Sequence, residues 1–337
     1  MNNFLVEMLE CPICHCQLDW QIAYESKDQI EQAEAHCSSC RAVYPVIDGI
    51  GIFLTPDLPR NDMWEQVDSQ LALHLKSHPE LELKLMDGPV DNLSPTDQQF
   101  RALVLDERGK FGDGKVIEEL AHKNLYTTEY MACWDSQIEY TLDCLRAFDE
   151  PIVDLASGRC YLVEKIAIQL RRPVVATDFS PNVLRRDRKY FQFLELDHLV
   201  SFLAFDARKT PFKKGAIEIM TTNLGLPNIK EPGDLMNELK RIVSGIFMAI
   251  SHFFPMEDDL NRDVIKEAGI EAFIYKESTM QYFSSNGWNP KIENSCMAKA
   301  LPTPVSEIFD GVRVDGLPVA PTELEWCTIR AESNIDS

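Results

Sequence analysis

Two aspartates and four cysteines are the residues of this chain best placed to do chemistry. Asp154 closes the apolar run Pro151-Ile152-Val153 and opens a turn of small residues, Leu155-Ala156-Ser157-Gly158-Arg159-Cys160, that leads into the helical pattern Tyr161-Leu162-Val163-Glu164-Lys165-Ile166-Ala167. A buried strand, a tight turn and a helix N-terminus together form the cradle with which α/β sheets hold nucleotide-like ligands. Asp178 closes the next apolar run, Val174-Val175-Ala176-Thr177. An acid at the end of a second strand can accept hydrogen bonds from both hydroxyls of a ribose.

The cysteines come as two CxxC knuckles, Cys11-Pro12-Ile13-Cys14 and Cys37-Ser38-Ser39-Cys40, separated by a spacer of 22 residues. Each knuckle aims two thiolates at one point, and two of them complete a closed tetrahedral zinc site. Such a site has no position left for water, so the metal is structural. Cys16 is read as a bystander, and His15 and His36 as ligands only if a cysteine were displaced. The run Val43-Tyr44-Pro45-Val46-Ile47-Asp48-Gly49-Ile50-Gly51-Ile52-Phe53-Leu54 predicts a hairpin turning at Asp48-Gly49.

Apolar runs and helical patterns alternate from residue 151 onward, which predicts strands near 151–155, 173–178, 199–205, 216–222, 245–252, 289–297 and 324–331. Helices are predicted over 161–170, 180–196, 232–243, 257–268 and 277–285. The fold class is therefore α/β, with a seven-stranded, mostly parallel, Rossmann-like sheet, a small N-terminal zinc-ribbon-like domain and a helical connector. Domain limits are placed at 1–60, 61–148 and 149–337. The connector pattern runs through Trp64, Val67, Leu71 and Leu75, then through Ile138, Leu142, Leu145 and Phe148, with breaks at Gly88-Pro89, Ser94-Pro95 and Gly112 to Gly114. It either packs on the large domain or caps its site with Tyr126, Tyr130 and Trp134 as aromatic walls. The proline-rich stretch from Leu301 to Pro321 is long for a loop, which points to a covering role.

The net charge of −21 is uneven: residues 61–150 carry 8 basic and 19 acidic side chains. A field of that sign repels a phosphate backbone and disfavours a nucleic-acid partner. Arg185-Arg186-Asp187-Arg188-Lys189 is the exception, read as a solvated helix face or an anion-binding patch. No apolar run reaches the ~20 residues of a membrane span. Met1-Asn2-Asn3-Phe4 opens no secretory signal, so a cytoplasmic location is expected.

Two resemblances follow from these motifs. Residues 4–56 resemble the zinc-knuckle domain of the tRNA-methyltransferase activator protein, on Met8-Leu9-Glu10-Cys11-Pro12-Ile13-Cys14, Leu18, Cys37 to Cys40 and Tyr44-Pro45-Val46-Ile47-Asp48-Gly49-Ile50. In that family the domain is a partner or fused module of methyltransferases, which implies a protein-facing role. Residues 150–331 resemble class I S-adenosylmethionine-dependent methyltransferases. That resemblance implies S-adenosylmethionine as cofactor. Asp154, Ala156, Ser157 and Gly158 would lie along its methionine part, Asp178 and Phe179 at its ribose, and Asp206 and Ala207 at its adenine. It places Asn223 on the floor of the methyl-transfer site. Asn223 and His252 are the candidate catalytic residues, one to orient an acceptor and one as a base. A small-molecule acceptor fits the acidic charge, and an RNA or translation-factor acceptor fits the zinc module.

The glycine loop departs from the family pattern at Ala156 and Cys160. Cys160 is expected either to crowd the cofactor or to pack as a small buried thiol. A filled loop would favour a methyltransferase-fold scaffold without turnover. A nicotinamide enzyme is a further rival, although G-x-G-x-x-G is missing.

Overall fold

The computed structural model describes residues 1–56 and 71–333, so Trp64 and Val67 lie outside the described residues. Its centre is built from short strands that are buried on both faces: β5 (Ile152–Asp154), β6 (Val174–Asp178) and β7 (Val200–Ala204). Continuous apolar runs of this kind need helices on both sides, as parallel strands do. The helices are supplied by α6 (Tyr161–Gln169), α7 (Pro181–Phe193) and α8 (Pro232–Ile242). Ser180 caps α7 by accepting a hydrogen bond from the Val183 amide, with Pro181 in the first turn; the pairing of capping hydroxyl and proline fixes where this helix starts. The remaining strands of this part are β8 (Ile217–Asn223), β9 (Val243–Phe253), β10 (Trp288–Ala300) and β11 (Thr322–Ser333).

The expectation of a seven-stranded, mostly parallel sheet is corrected. With β1 (Leu18–Ser26), β2 (Gln29–Cys37), β3 (Val43–Ile47) and β4 (Ile50–Ile52), the sheet among the described residues has eleven strands in the order β1-β2-β3-β4-β7-β6-β5-β8-β9-β11-β10 and is mixed. Pairing is parallel from β4 through to β9 and antiparallel at both ends. The added strands, β1 to β4, come from the N-terminal segment. Strands β3 and β4 form the predicted hairpin at Asp48-Gly49, with Ile47 opposite Ile50.

Strand β4 then joins β7, with Ile50 beside Phe202, Gly51 beside Leu203 and Ile52 beside Ala204. Glycine is required in the middle of β4, because a Cβ on Gly51 would sit 2.7 Å from Leu203 Cδ2 and 2.9 Å from Phe53 Cε2. Phe53 is fully buried, stacked on Tyr44 with ring centres 5.3 Å apart and edge-on to Trp20. Burial of a side chain of this size contributes about 1.5–3 kcal/mol. Polar contacts reinforce the junction. Arg188 donates to both oxygens of Glu31 at 2.7 and 2.8 Å, and Arg241 reaches Glu10 at 2.7 Å. The basic run at 185–189 is thus largely engaged: Arg188 binds Glu31, Arg186 binds Asp187, and Arg185 donates to Asn182.

The connector supplies α2 (Pro79–Asp87), α3 (Pro95–Glu107), α4 (Phe111–Leu125) and α5 (Thr128–Leu145). Gly88-Pro89 and Ser94-Pro95 separate helices as expected. Gly112 and Gly114 do not, since both lie in the first turn of α4. A Cβ at Gly114 would run into the Asp106 carboxylate, so this glycine lets α4 pack closely on α3. The long 301–321 segment straps across these helices. Thr96 donates to the Pro304 carbonyl, Ser306 and the Glu307 amide bind Asp97, and Phe309 meets Phe100 edge-on at 5.4 Å.

Candidate active site and zinc centre

The cofactor-type residues gather at the ends of β5, β6 and β7. Asp154 is almost wholly buried; its Oδ1 accepts a 2.6 Å hydrogen bond from the Thr221 hydroxyl of β8. Burial pushes its carboxyl up to about 7, opposed only by hydrogen bonds from the Thr221 and Ser157 hydroxyls. Among the described residues no cation acts on it, which is an uncompensated position for a buried acid. Asp178 is held from two sides, its Oδ2 by the Gly158 amide at 3.1 Å and its Oδ1 by the Ser180 amide at 3.0 Å. This carboxylate therefore ties the first loop to the second strand. Asp206, expected at the adenine, is gripped by Arg208, which donates to Oδ1 through Nε at 2.9 Å and to Oδ2 through Nη2 at 2.6 Å. Phe179 is half-buried beside Asp178, and Ala207 packs against the core.

The departures in the glycine loop have a conformational explanation. Ala156, Gly158 and Cys160 have φ of 51°, 53° and 57°. The loop keeps the left-handed turns that glycine makes easy, and two ordinary residues carry the strain. Of the two readings of Cys160, the structure has the small buried thiol: it lies in the core and donates to Asp187 Oδ2 at 3.5 Å. Burial holds that thiol well above its usual range, so it is not a nucleophile.

Sequence reading missed what holds this loop from outside. Arg159 turns away from the sheet and is bound by Asp106 of α3 at 2.6 Å and Glu118 of α4 at 2.8 Å. Tyr161 donates to Glu118 at 2.7 Å. A cavity of about 20 Å³ lies between these groups, room for a single water. An arginine inside a turn of small residues was the available signal, but its partners lie on another segment.

The candidate catalytic residues meet a second set of aromatics. Asn223 ends β8, and its Oδ1 accepts from Trp134 Nε1 of α5 at 3.2 Å. His252, near the end of β9, pairs across the sheet with Trp326 of β11, their ring centres 4.9 Å apart. Tyr130 stands edge-on over Trp326 at 4.9 Å and stacks on Tyr126, whose hydroxyl donates to Asp315 of the strap at 2.9 Å. The three aromatics named from the connector thus cover the ends of β8, β9 and β11.

In the N-terminal segment the sulfurs of Cys11, Cys14, Cys37 and Cys40 all lie within 4.8 Å of one another. Cys11 and Cys40 are 3.5 Å apart, and Cys14 and Cys37 3.4 Å. A tetrahedron with Zn–S of 2.3 Å has edges of about 3.8 Å, so the set is the right size. The thiols also cannot all ionise unaided. The Cys16 backbone and then Cys37 draw Cys14 down to about 6. The Ala42 backbone would lower Cys40 too, but burial and the neighbouring thiols outweigh it and push Cys40 to about 12. A dication resolves that conflict. His15 and His36 bind Glu10 and Glu34 instead, at 2.8 and 3.0 Å.

Residues 153–245 match the family model described as a methyltransferase domain, and residues 2–49 match the Trm112p-like protein family. The chain carries a methyltransferase domain behind a Trm112p-like domain. It is a methyltransferase enzyme by that domain, and the tetra-cysteine cluster of its Trm112p-like domain is a structural zinc site. The nicotinamide reading falls with that match. No curated protein matches the chain.

Among solved structures, the YcgJ protein from Bacillus subtilis aligns over 59% of this chain and 98% of its own, at 13% identity and a TM-score of 0.46. Geranyl diphosphate C-methyltransferase from Streptomyces coelicolor A3(2) aligns over 58% and 79%, at 16% identity and 0.42. The [4+2]-cyclase SpnF aligns over 58% and 81%, at 12% identity and 0.41. These likenesses are too loose to bear on the chemistry of the methyltransferase domain.

Proposed function

We propose that this methyltransferase acts on a small molecule, with Asp154, Asp178 and Asp206 holding S-adenosylmethionine along the ends of β5, β6 and β7. The observation that carries this reading is the Asp154 carboxyl, buried at the end of β5 with no cation beside it among the described residues. The ammonium of a methionine moiety supplies the missing charge. Ala156, Ser157 and Gly158 follow in the loop beneath that moiety. Asp178, already oriented by two amides, accepts from the ribose hydroxyls with Phe179 beside it. Asp206 with Ala207 faces the adenine, its carboxylate steadied by Arg208. Bound S-adenosylmethionine supplies an electrophilic methyl group; the protein's part is to align an acceptor and exclude water. Asn223 and His252 lie where that acceptor sits.

The net charge of −21 favours an uncharged or cationic small molecule over RNA. The chain divides at 1–60, 61–148 and 149–337, with the middle part serving as the cap. A cytoplasmic setting suits the free thiols of the zinc cluster. The Trm112p-like domain keeps an outer surface that fits a protein partner.

Calorimetric titration with S-adenosylmethionine tests the reading. Charge-assisted hydrogen bonds contribute roughly 1.5–3 kcal/mol each, so Asp178→Ala should weaken binding at least ~10-fold. Unchanged affinity in that variant refutes the assigned site.

A further inference from the structure

We propose that Asp106 and Glu118 of the cap, acting through Arg159, hold the cofactor loop in its left-handed turns. The inference rests on the cofactor site assigned above and names positioning residues for it that lie outside the sheet. Between residues 156 and 160 the backbone takes three positive φ values, and two of them fall on residues with a Cβ, Ala156 at 51° and Cys160 at 57°. Strain of this kind persists only where the surroundings fix the backbone. Cys160 is also the N-cap of α6, yet its side chain makes no capping hydrogen bond. A hydroxyl or carboxylate at that position would normally set the helix start. The constraint on this turn therefore comes from elsewhere.

Arg159 stands between two left-handed residues, Gly158 and Cys160, and its side chain is nine-tenths buried. Its Nη2 donates to Asp106 of α3 at 2.6 Å and to Glu118 of α4 at 2.8 Å. Its Nε donates to the Tyr161 hydroxyl at 3.2 Å, and that hydroxyl donates onward to Glu118 at 2.7 Å. The guanidinium is thus fixed in position and in plane by charge-assisted bonds, the strong kind. Burial alone would raise the Glu118 carboxyl; Arg159 and the Tyr161 hydroxyl outweigh it and hold the carboxyl down to about 2. The clamp is therefore charged throughout the physiological range.

The loop is gripped from the sheet side as well. The Gly158 amide donates to Asp178 Oδ2 at 3.1 Å, and the Cys160 amide closes the turn on the Ser157 carbonyl at 2.7 Å. Gly158 is one of the two amides that orient Asp178. A loop released by the cap would relax its strained turns and misplace the carboxylate assigned to the ribose. Glycine enters the same turns without strain. It should therefore stand in for the clamp, which it could not do if the acids served only to dock the cap.

The test is calorimetric titration of the full, zinc-loaded chain with S-adenosylhomocysteine. Glu118→Gln keeps the volume and one oxygen of the clamp but removes its charge, and should weaken binding at least ~10-fold. Ala156→Gly together with Cys160→Gly should tighten binding in the Glu118→Gln chain at least ~5-fold more than in the otherwise wild-type chain, the non-additivity of groups that act on one element. Circular dichroism checks folding. Where Glu118→Gln does not fold, Tyr161→Phe takes its place, since it removes only the hydroxyl between Arg159 and Glu118; it should cost about threefold and be restored by the same glycines. Affinity unchanged in Glu118→Gln overturns the proposal and leaves the cofactor reading standing. So does a loss that the glycines improve no more than they improve the wild type. Failure of the wild type to bind S-adenosylhomocysteine overturns the cofactor reading itself.

Discussion

Replacing Asp154 by asparagine should stabilise the ligand-free enzyme and cripple its cofactor binding. The carboxyl is raised from 3.8 to about 7 because folding removes it from water without giving it a cation. Between those pH values the folded chain keeps a proton that the unfolded chain has lost. Stability therefore falls as pH rises through this window, and the loss is complete above pH 7. About 3 pKa units at 1.36 kcal/mol each set a ceiling of about 4 kcal/mol on the effect. Asparagine keeps an oxygen for the Thr221 hydroxyl and carries no charge, so Asp154→Asn should escape the loss. Urea unfolding of both proteins at pH 5 and pH 8 measures it. The wild type should be less stable at pH 8 than at pH 5 by an amount the variant lacks, leaving the variant ahead by at least ~1 kcal/mol at pH 8. Calorimetry should show the opposite order for S-adenosylmethionine. Wild-type affinity should itself fall up to tenfold per pH unit below 7, where the carboxyl must first lose its proton. Identical pH dependence of stability in the two proteins would refute the reasoning.

Two further outcomes follow from the N-terminal part. Purified protein should contain one equivalent of zinc by elemental analysis, and Cys37→Ser should lose it and unfold β1 to β4 selectively by hydrogen exchange; an intact metal-free hairpin pair would contradict the structural role. Gly51→Val should lower the unfolding free energy by about 1–3 kcal/mol through overpacking against Leu203 and Phe53, read as a drop in denaturation midpoint at constant slope; a variant as stable as wild type would show that β4 does not dock on β7 as described.

The parts of this molecule that were legible in sequence are those whose signal is local. Ile152-Val153 and Val174 to Thr177 read as strands because both of their faces are buried, leaving no polar alternation to confuse the pattern. The four cysteines were legible for the same reason: a knuckle is defined by three bonds of neighbouring chain. Of the N-terminal strands, β3 and β4 were legible as a hairpin through Asp48-Gly49, whereas β1, β2 and the joining of β4 to the large sheet were not. In β1, Leu18, Trp20, Ile22 and Tyr24 recur at every second position, an alternation that the sequence reading passed over, although only Leu18 of the four is buried; β4 is three residues long. What makes β4 a strand is the edge of β7, about 150 residues away. Separation along the chain also hid the Arg159 clamp, whose acids lie 53 and about 40 residues upstream. Cys160 shows a different limit. Family pattern assigns glycine there, and sequence reading attributed this to lack of space; the backbone shows that the requirement is a positive φ. Trp326 escaped notice because only the antiparallel register of β9 and β11 sets it beside His252.

The junction of β4 with β7 also has a consequence for how the chain is born. Ile50, Ile52 and Phe53 leave the ribosome about 150 residues before Phe202 and Ala204, their partners. At 5–20 residues per second that interval is roughly 8–30 s. Hairpins that form within it carry an open, apolar edge, the kind of surface that pairs with a neighbouring nascent chain. Early metal capture sets the hairpins, but only late synthesis shields them. A holdase that covers residues 50–53 during that interval would raise the yield of active enzyme without touching the finished fold.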